Sequence, residues 1–158
     1  MALYFAYGSN LDRNQMVERC RSAKDIGVAL LPDYRIAFTR YSSKRNGGVA
    51  DVVPEKNSSV WGGLYEISED DLTNLNSCEG YDPKREGSKN SYNQAEVFVY
   101  IGGDLKKTVK TLIYVAVKQK EFIQPHTDYL AQIIRGAKSW GLTEGYIEEL
   151  QNFSDVQH

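Results

Sequence analysis

The chain has 158 residues, 41% of them hydrophobic, enough to bury one core, and a single domain over residues 1–158 is expected. Charged residues make up 25%, the formal net charge is -2, and lysine and arginine are scattered along the chain, which argues against a nucleic-acid partner. No apolar run approaches the ~20 residues of a membrane-spanning helix and the opening lacks a basic leader, while Cys20 and Cys78 are too few and too far apart for a disulfide framework or a tetrahedral metal site; a soluble cytoplasmic protein with reduced thiols, no metal, no cofactor and no membrane partner is expected.

The chain opens with a buried strand, Leu3 to Ala6, halted by Gly8-Ser9-Asn10. Asp12 is placed to cap a helix with Met16, Val17 and Cys20 on its inner side. Ile26 to Leu31 and Arg35 to Tyr41 read as two strands of a hairpin turning at Pro32-Asp33. A polar, basic, exposed loop is expected at Ser42 to Asn46, then a strand from Val49 to Val53 stopped by Pro54. Another strand runs from Val60 to Ile67, with Gly62-Gly63 marking a bulge or the close approach of another backbone or a ligand.

Ser68 and Asp71 resemble a capping box ahead of a helix with Leu72 and Leu75 inside, and Gly80 fits the left-handed residue that ends it. Glu79 therefore stands at the helix's final turn. Residues Tyr81 to Asn90 read as a mobile loop, and Ala95 to Ile101 with Thr108 to Val117 as a hairpin across Gly102-Gly103-Asp104. A helix from Thr127 to Ser139, ended by Gly141, and a short one capped by Thr143 close the chain, with 153–158 expected to fray. The class is α+β, a mixed and mostly antiparallel sheet curling into a small barrel flanked by helices.

Two features carry chemistry. A glycine-containing turn between strand and helix leaves backbone N–H groups pointing outward beside the positive end of a helix dipole, a nest for an anion or for an oxygen that becomes one. Glu79, beside a helix C-terminus, faces the negative end of the dipole, which disfavours its ionised form and suits a general base. A third set, His126 with Cys20 or Cys78 as base and thiol nucleophile, lies in no nucleophile motif. The 11 tyrosines, against 5 phenylalanines, suit a pocket both walled and polar, or half-buried strand positions.

Phe5-Ala6-Tyr7-Gly8-Ser9-Asn10-Leu11 near the start and Cys78-Glu79-Gly80 midway resemble the γ-glutamylcyclotransferase-like family. Val60-Trp61-Gly62, Gly136-Ala137-Lys138 and Gly141-Leu142 extend the resemblance over most of the chain. It implies that Glu79 is the catalytic acid–base residue and that Tyr7, Gly8, Ser9, Asn10 and Leu11 cradle the glutamyl group, with Tyr92 and Tyr129 lining the pocket. The implied reaction turns a γ-glutamyl amide into 5-oxoproline and a free amine, with amide C–N cleavage as a lyase-like step. The loop between Glu79 and Tyr92 is longer and more basic than in the family's glutathione-related members. That leaves the leaving amine open, along with oligomeric state; a small-molecule-binding domain of the same fold, without catalysis, is the alternative.

Overall fold

The computed structural model describes residues 1–155. Five strands, β1 (Ala2–Ala6), β2 (Lys24–Ser42), β3 (Gly47–Ile67), β4 (Tyr92–Ile101) and β5 (Thr108–Ala116), close a barrel in the order β1-β3-β2-β4-β5. All pairings are antiparallel except β1 with β5, where Tyr4 lies opposite Leu112. Four helices, α1 (Arg13–Arg19), α2 (Glu69–Cys78), α3 (Thr127–Trp140) and α4 (Glu144–Asn152), flank it, as the α+β reading expects.

The hairpin expected at Pro32-Asp33 is corrected: both stretches belong to β2, and both pair with β3. Asp33 takes φ 61 in a bulge between Pro32 and Tyr34, opposite Asn57 at φ 68, whose N–H donates to Asp33 Oδ1 at 3.0 Å. Turn chemistry here bends a strand without reversing it. Pro54 likewise does not stop β3, which continues through it opposite Tyr34. The actual reversal is at Ser43–Asn46, with Asn46 at φ 54.

The paired glycines of β3 mark a close approach, of backbone and an indole. A Cβ on Gly62 would lie 2.3 Å from the Ala6 carbonyl oxygen, and one on Gly63 2.6 Å from the Trp140 ring. In α1, capped by Asp12, Met16 is buried, as is Cys20 just past its end, but Val17 is 51% exposed, because this single short helix presents one narrow row to the core. In α3, Leu130, Ile133, Ala137 and Trp140 face inward, and Gly141 ends the helix at φ 74.

Two segments are better anchored than expected. Asn90, buried, accepts from Arg85 Nε at 2.6 Å and donates to Asn93 Oδ1 at 2.8 Å, so the Tyr81 to Asn90 loop is tied down. Phe153 to Asp155 form a short 3-10 helix, and the Phe153 ring sits 4.8 Å from that of Phe38. Fraying therefore does not begin at Phe153, and residues 156–158 lie outside the described residues.

Candidate active site

The turn from β1 into α1 runs over the barrel's open end. Gly8 fits there for lack of a side chain, since a Cβ would come within 3.3 Å of Ala50 Cβ. Ser9–Leu11 form one 3-10 turn in which the Leu11 amide donates to Gly8 O and the Asp12 amide to Ser9 O, both at 3.0 Å. Those two donors are spent. The amides of Gly8, Ser9 and Asn10 have no acceptor among the described residues, so the expected nest narrows to these three. Leu11, expected in the cradle, is instead fully buried against α3, its carbonyl accepting from Trp140 Nε1 at 3.0 Å. It anchors the turn.

Glu79 caps the C-terminus of α2, its N–H donating to Leu75 O at 2.9 Å, and Gly80 follows at φ 66. The Glu79 side chain reaches the turn that follows Gly8. The residue is half-buried, and Asn10 Nδ2 lies 3.3 Å from its Oε1. Burial pushes its carboxyl up to about 6, opposed by the positive charges of Arg19 and Arg45. Burial, more than the helix end, is what raises it.

Three tyrosines expected at the site are there. The Tyr7 hydroxyl donates to Tyr114 O at 2.6 Å. Tyr92 and Tyr129 bracket the Ala50 peptide of β3: Tyr129 accepts from Ala50 N–H at 3.0 Å and Tyr92 donates to Ala50 O. Burial raises all three phenols, Tyr129 to about 12, so they remain neutral. The Tyr129 hydroxyl, having accepted, keeps its proton to donate. Next to Ala50, buried Asp51 takes bonds from Thr39 Oγ1 at 2.7 Å and Ala116 N–H at 3.0 Å, pinning β3 to β2 and β5.

Of the eight residues expected at the site, all but Leu11 line one cleft, and Tyr4, Tyr114 and Ala50 complete its walls. The cleft is small, about 30 Å³, and opens past Ser9, Glu79, Tyr92 and Tyr129 into a vestibule of about 370 Å³. A larger groove of about 720 Å³ lies elsewhere, between β2, β3 and α4, where the acids Glu55 and Glu149 are exposed and Glu55 pairs with Arg35. It offers no buried acid.

The sequence reading missed a second layer. Gln15 Nε2 donates to Ser9 Oγ at 2.8 Å and to Asn10 Oδ1 at 2.9 Å, and Arg19 donates to Asn10 Oδ1 at 3.2 Å. Arg45, from the turn expected to be simply exposed, bonds Gln15 Oε1 at 2.8 Å and Gln132 Oε1 at 3.0 Å, with its guanidinium 5.1 Å from the Tyr129 ring. Polar residues on an amphipathic helix and an arginine in a basic turn carry no periodic signal that marks them as inward-facing.

The thiol set does not assemble a nucleophile. His126 caps α3, its Nδ1 accepting from Asp128 N–H at 3.1 Å. Cys20 is buried, and desolvation pushes its thiol up to about 12. Among the described residues no group of three or more His, Cys, Asp or Glu side chains could hold a metal ion, and no helix is long and apolar enough to cross a membrane.

The model of the AIG2-like family matches residues 59–150, a span holding Glu79, Tyr92 and Tyr129. The γ-glutamylcyclotransferase of Bos taurus is 30% identical over 155 residues, covering 95% of this chain and 77% of the relative, and that of Mus musculus 28% identical over 153 residues, covering 94% and 77%. A solved structure of a γ-glutamyl cyclotransferase superposes with a TM-score of 0.87 at 28% identity, over 99% of this chain and 90% of that one. The fold and the overall sequence are thus shared with these relatives, and the chain belongs to the AIG2-like, γ-glutamylcyclotransferase-like family.

Proposed function

We propose that the protein is a cyclotransferase converting a γ-glutamyl amide to 5-oxoproline and a free amine, with Glu79 as general base and then acid. The observation that carries this is a half-buried carboxyl, pushed up to about 6, held by Asn10 at the mouth of a cleft whose floor is three unpaired amides. The relatives named γ-glutamylcyclotransferase support the same activity.

The substrate carries its own nucleophile. Glu79 takes a proton from the α-ammonium, and the freed nitrogen attacks the γ-carbonyl carbon, closing a five-membered ring and leaving an oxyanion. The bond to the departing nitrogen then breaks as Glu79 returns its proton there. Net, two protons leave the α-nitrogen and two arrive on the leaving amine, one carboxyl carrying them in succession. The enzyme's other task is to hold the chain bent.

A cleft of about 30 Å³ has room for a group the size of a water molecule, so it takes one oxygen-bearing end while the rest of the substrate lies in the vestibule. The amides of Gly8, Ser9 and Asn10 serve that oxygen, and a donor to a developing oxyanion is typically worth ~3 kcal/mol in the barrier. Tyr7, Tyr92 and Tyr129 wall it, and Tyr129 has a proton to offer.

The test is incubation with γ-glutamyl amino acids, γ-glutamyl amines and glutathione, with 5-oxoproline as the readout. At least one is expected to cyclise, and Glu79→Gln to stop turnover by 10²-fold or roughly more while leaving the circular dichroism spectrum unchanged. Full activity in Glu79→Gln removes the assignment of Glu79. If the protein binds these compounds and cyclises none, it is a binding domain.

A further inference from the structure

The vestibule outside Glu79 is strongly and unevenly charged. Arg19, Arg40, Lys44 and Arg45 line it, and Glu79 is the one acid among its lining residues. None of the four cations has a salt-bridge partner among the described residues. Arg19 and Arg45 are half-buried and spend donors on neutral oxygens, those of Asn10, Gln15 and Gln132. Arg40 donates to Val117 O at 2.9 Å, and exposed Lys44 makes no hydrogen bond among the described residues. A protein whose formal net charge is -2 thus concentrates unpaired positive charge at one mouth.

Half-buried guanidinium groups held by neutral acceptors keep most of their charge for a ligand, and the neighbouring tyrosine faces lower the local dielectric. Because Glu79 sits at the boundary between cleft and vestibule, whatever leaves as the amine occupies the vestibule. Resting on the cyclotransferase reading, we propose that this vestibule is a subsite for an acidic leaving group: the favoured substrates are γ-glutamyl amides of amino acids bearing a second carboxylate on the side chain. One carboxylate of such a leaving group meets Arg45 and Arg19 near the cleft, and the second reaches Arg40 and Lys44 at the rim. A cationic amine meets like charge in the same space.

The charge count also favours this. Glu79 supplies at most one negative charge, and the glutamyl α-carboxylate is balanced by its own α-ammonium until the proton moves, so a dianionic leaving group brings negative charge that the four cations otherwise lack. Neutral side chains on the leaving amino acid satisfy part of the field, acidic ones more of it.

The experiment compares γ-glutamyl-glutamate, γ-glutamyl-aspartate, γ-glutamyl-alanine and γ-glutamyl-putrescine in two arms: kcat/KM by 5-oxoproline release with the native protein, and Kd by calorimetry with Glu79→Gln. The expected order is acidic above alanine by roughly tenfold, with putrescine lowest. Raising ionic strength from 0.02 to 0.5 M shortens the screening length from about 20 Å to about 4 Å, and the gap shrinks to within about threefold. Arg45→Gln and Lys44→Gln, the second free of internal contacts, each narrow the acidic-to-alanine ratio. Equal kcat/KM and Kd for alanine and glutamate leaving groups overturn the subsite while leaving the cyclotransferase intact. If nothing cyclises, the cyclotransferase reading fails and the Kd order alone decides the subsite.

Discussion

Asn10 and Glu79, 69 residues apart in the chain, meet at the cleft with the Asn10 amide 3.3 Å from the Glu79 carboxyl oxygen, and the same amide donates to the Tyr4 hydroxyl at 3.0 Å. On its other side the Asn10 oxygen accepts from Gln15 and Arg19. One buried side chain therefore joins the turn, α1, β1 and the end of α2. It is the structural link between the sequence's two most informative motifs.

Removing that link predicts a split outcome. Asn10→Ala strips a donor from the carboxylate form of Glu79, so its pKa rises and the acid limb of kcat/KM against pH moves upward from about 6. It also leaves buried groups unpaired, at a cost of about 1–3 kcal/mol in stability. A pH–rate profile alongside a denaturant titration checks both. An unmoved acid limb shows that Asn10 does not tune Glu79.

Glu79 itself predicts a stability change of definite sign. Its folded-state value of about 6 lies above the ordinary 4.5, so the folded protein holds a proton that the unfolded chain has lost between those two values. Stability from this group is therefore full below about pH 4.5 and declines as pH rises through 6. Above that, burying the charge costs about 1–2 kcal/mol. Glu79→Gln should be more stable than the parent at pH 7.5 by that amount and lose the advantage by pH 4. Urea titrations at the two pH values measure it.

The local signals that survived folding were those where one residue type answers one backbone need. Gly80 and Gly141 both take the left-handed conformation expected after a helix, and Asp12, Ser68 and Thr143 cap the helices they precede. Pro32, Asp33 and Pro54 misled because a bulge and a turn ask for the same residues, and only the partner strand distinguishes them. Asp33 stays within β2 because Asn57 on β3 bulges opposite and bonds it. Glu79 was legible through family motif, whereas the cause of its raised carboxyl, burial that outweighs the charges of Arg19 and Arg45, is a tertiary property. Arg45 was illegible for the same reason: nothing in Ser42 to Asn46 says which of its side chains turns inward.

The two tyrosines on Ala50 predict unequal mutants. Tyr129→Phe removes the acceptor of the Ala50 N–H, leaving a buried donor unpaired, at about 1–3 kcal/mol. Tyr92→Phe removes a donor to the Ala50 carbonyl, and a carbonyl tolerates one lost partner better than an N–H does. Tyr129→Phe should therefore lower thermal stability more. It should also lower kcat, since of these two hydroxyls only that of Tyr129 has its proton uncommitted, while Tyr92→Phe acts mainly through position. Equal effects on both readouts would mean the two hydroxyls are interchangeable supports.

A pair of helical glycines separates packing from propensity. On α3, a Cβ at Gly136 would stand 2.6 Å from Leu11 Cβ and its carbonyl carbon and 2.8 Å from the Asp12 amide, so the helix touches the turn backbone directly. On α4, a Cβ at Gly145 would meet nothing within 4 Å. Gly136→Ala has no flexible neighbour to displace, and it must push α3 off the turn at a cost of about 1–3 kcal/mol. The same shift moves Tyr129, two turns earlier on α3, relative to Gly8, so kcat/KM should fall as well. Gly145→Ala gains helix propensity without a clash and should stabilise by up to about 1 kcal/mol with turnover unchanged. Scanning calorimetry then orders the three proteins as Gly145→Ala, parent, Gly136→Ala, and a Gly136→Ala variant with parental stability and activity would show that α3 does not hold the turn in place.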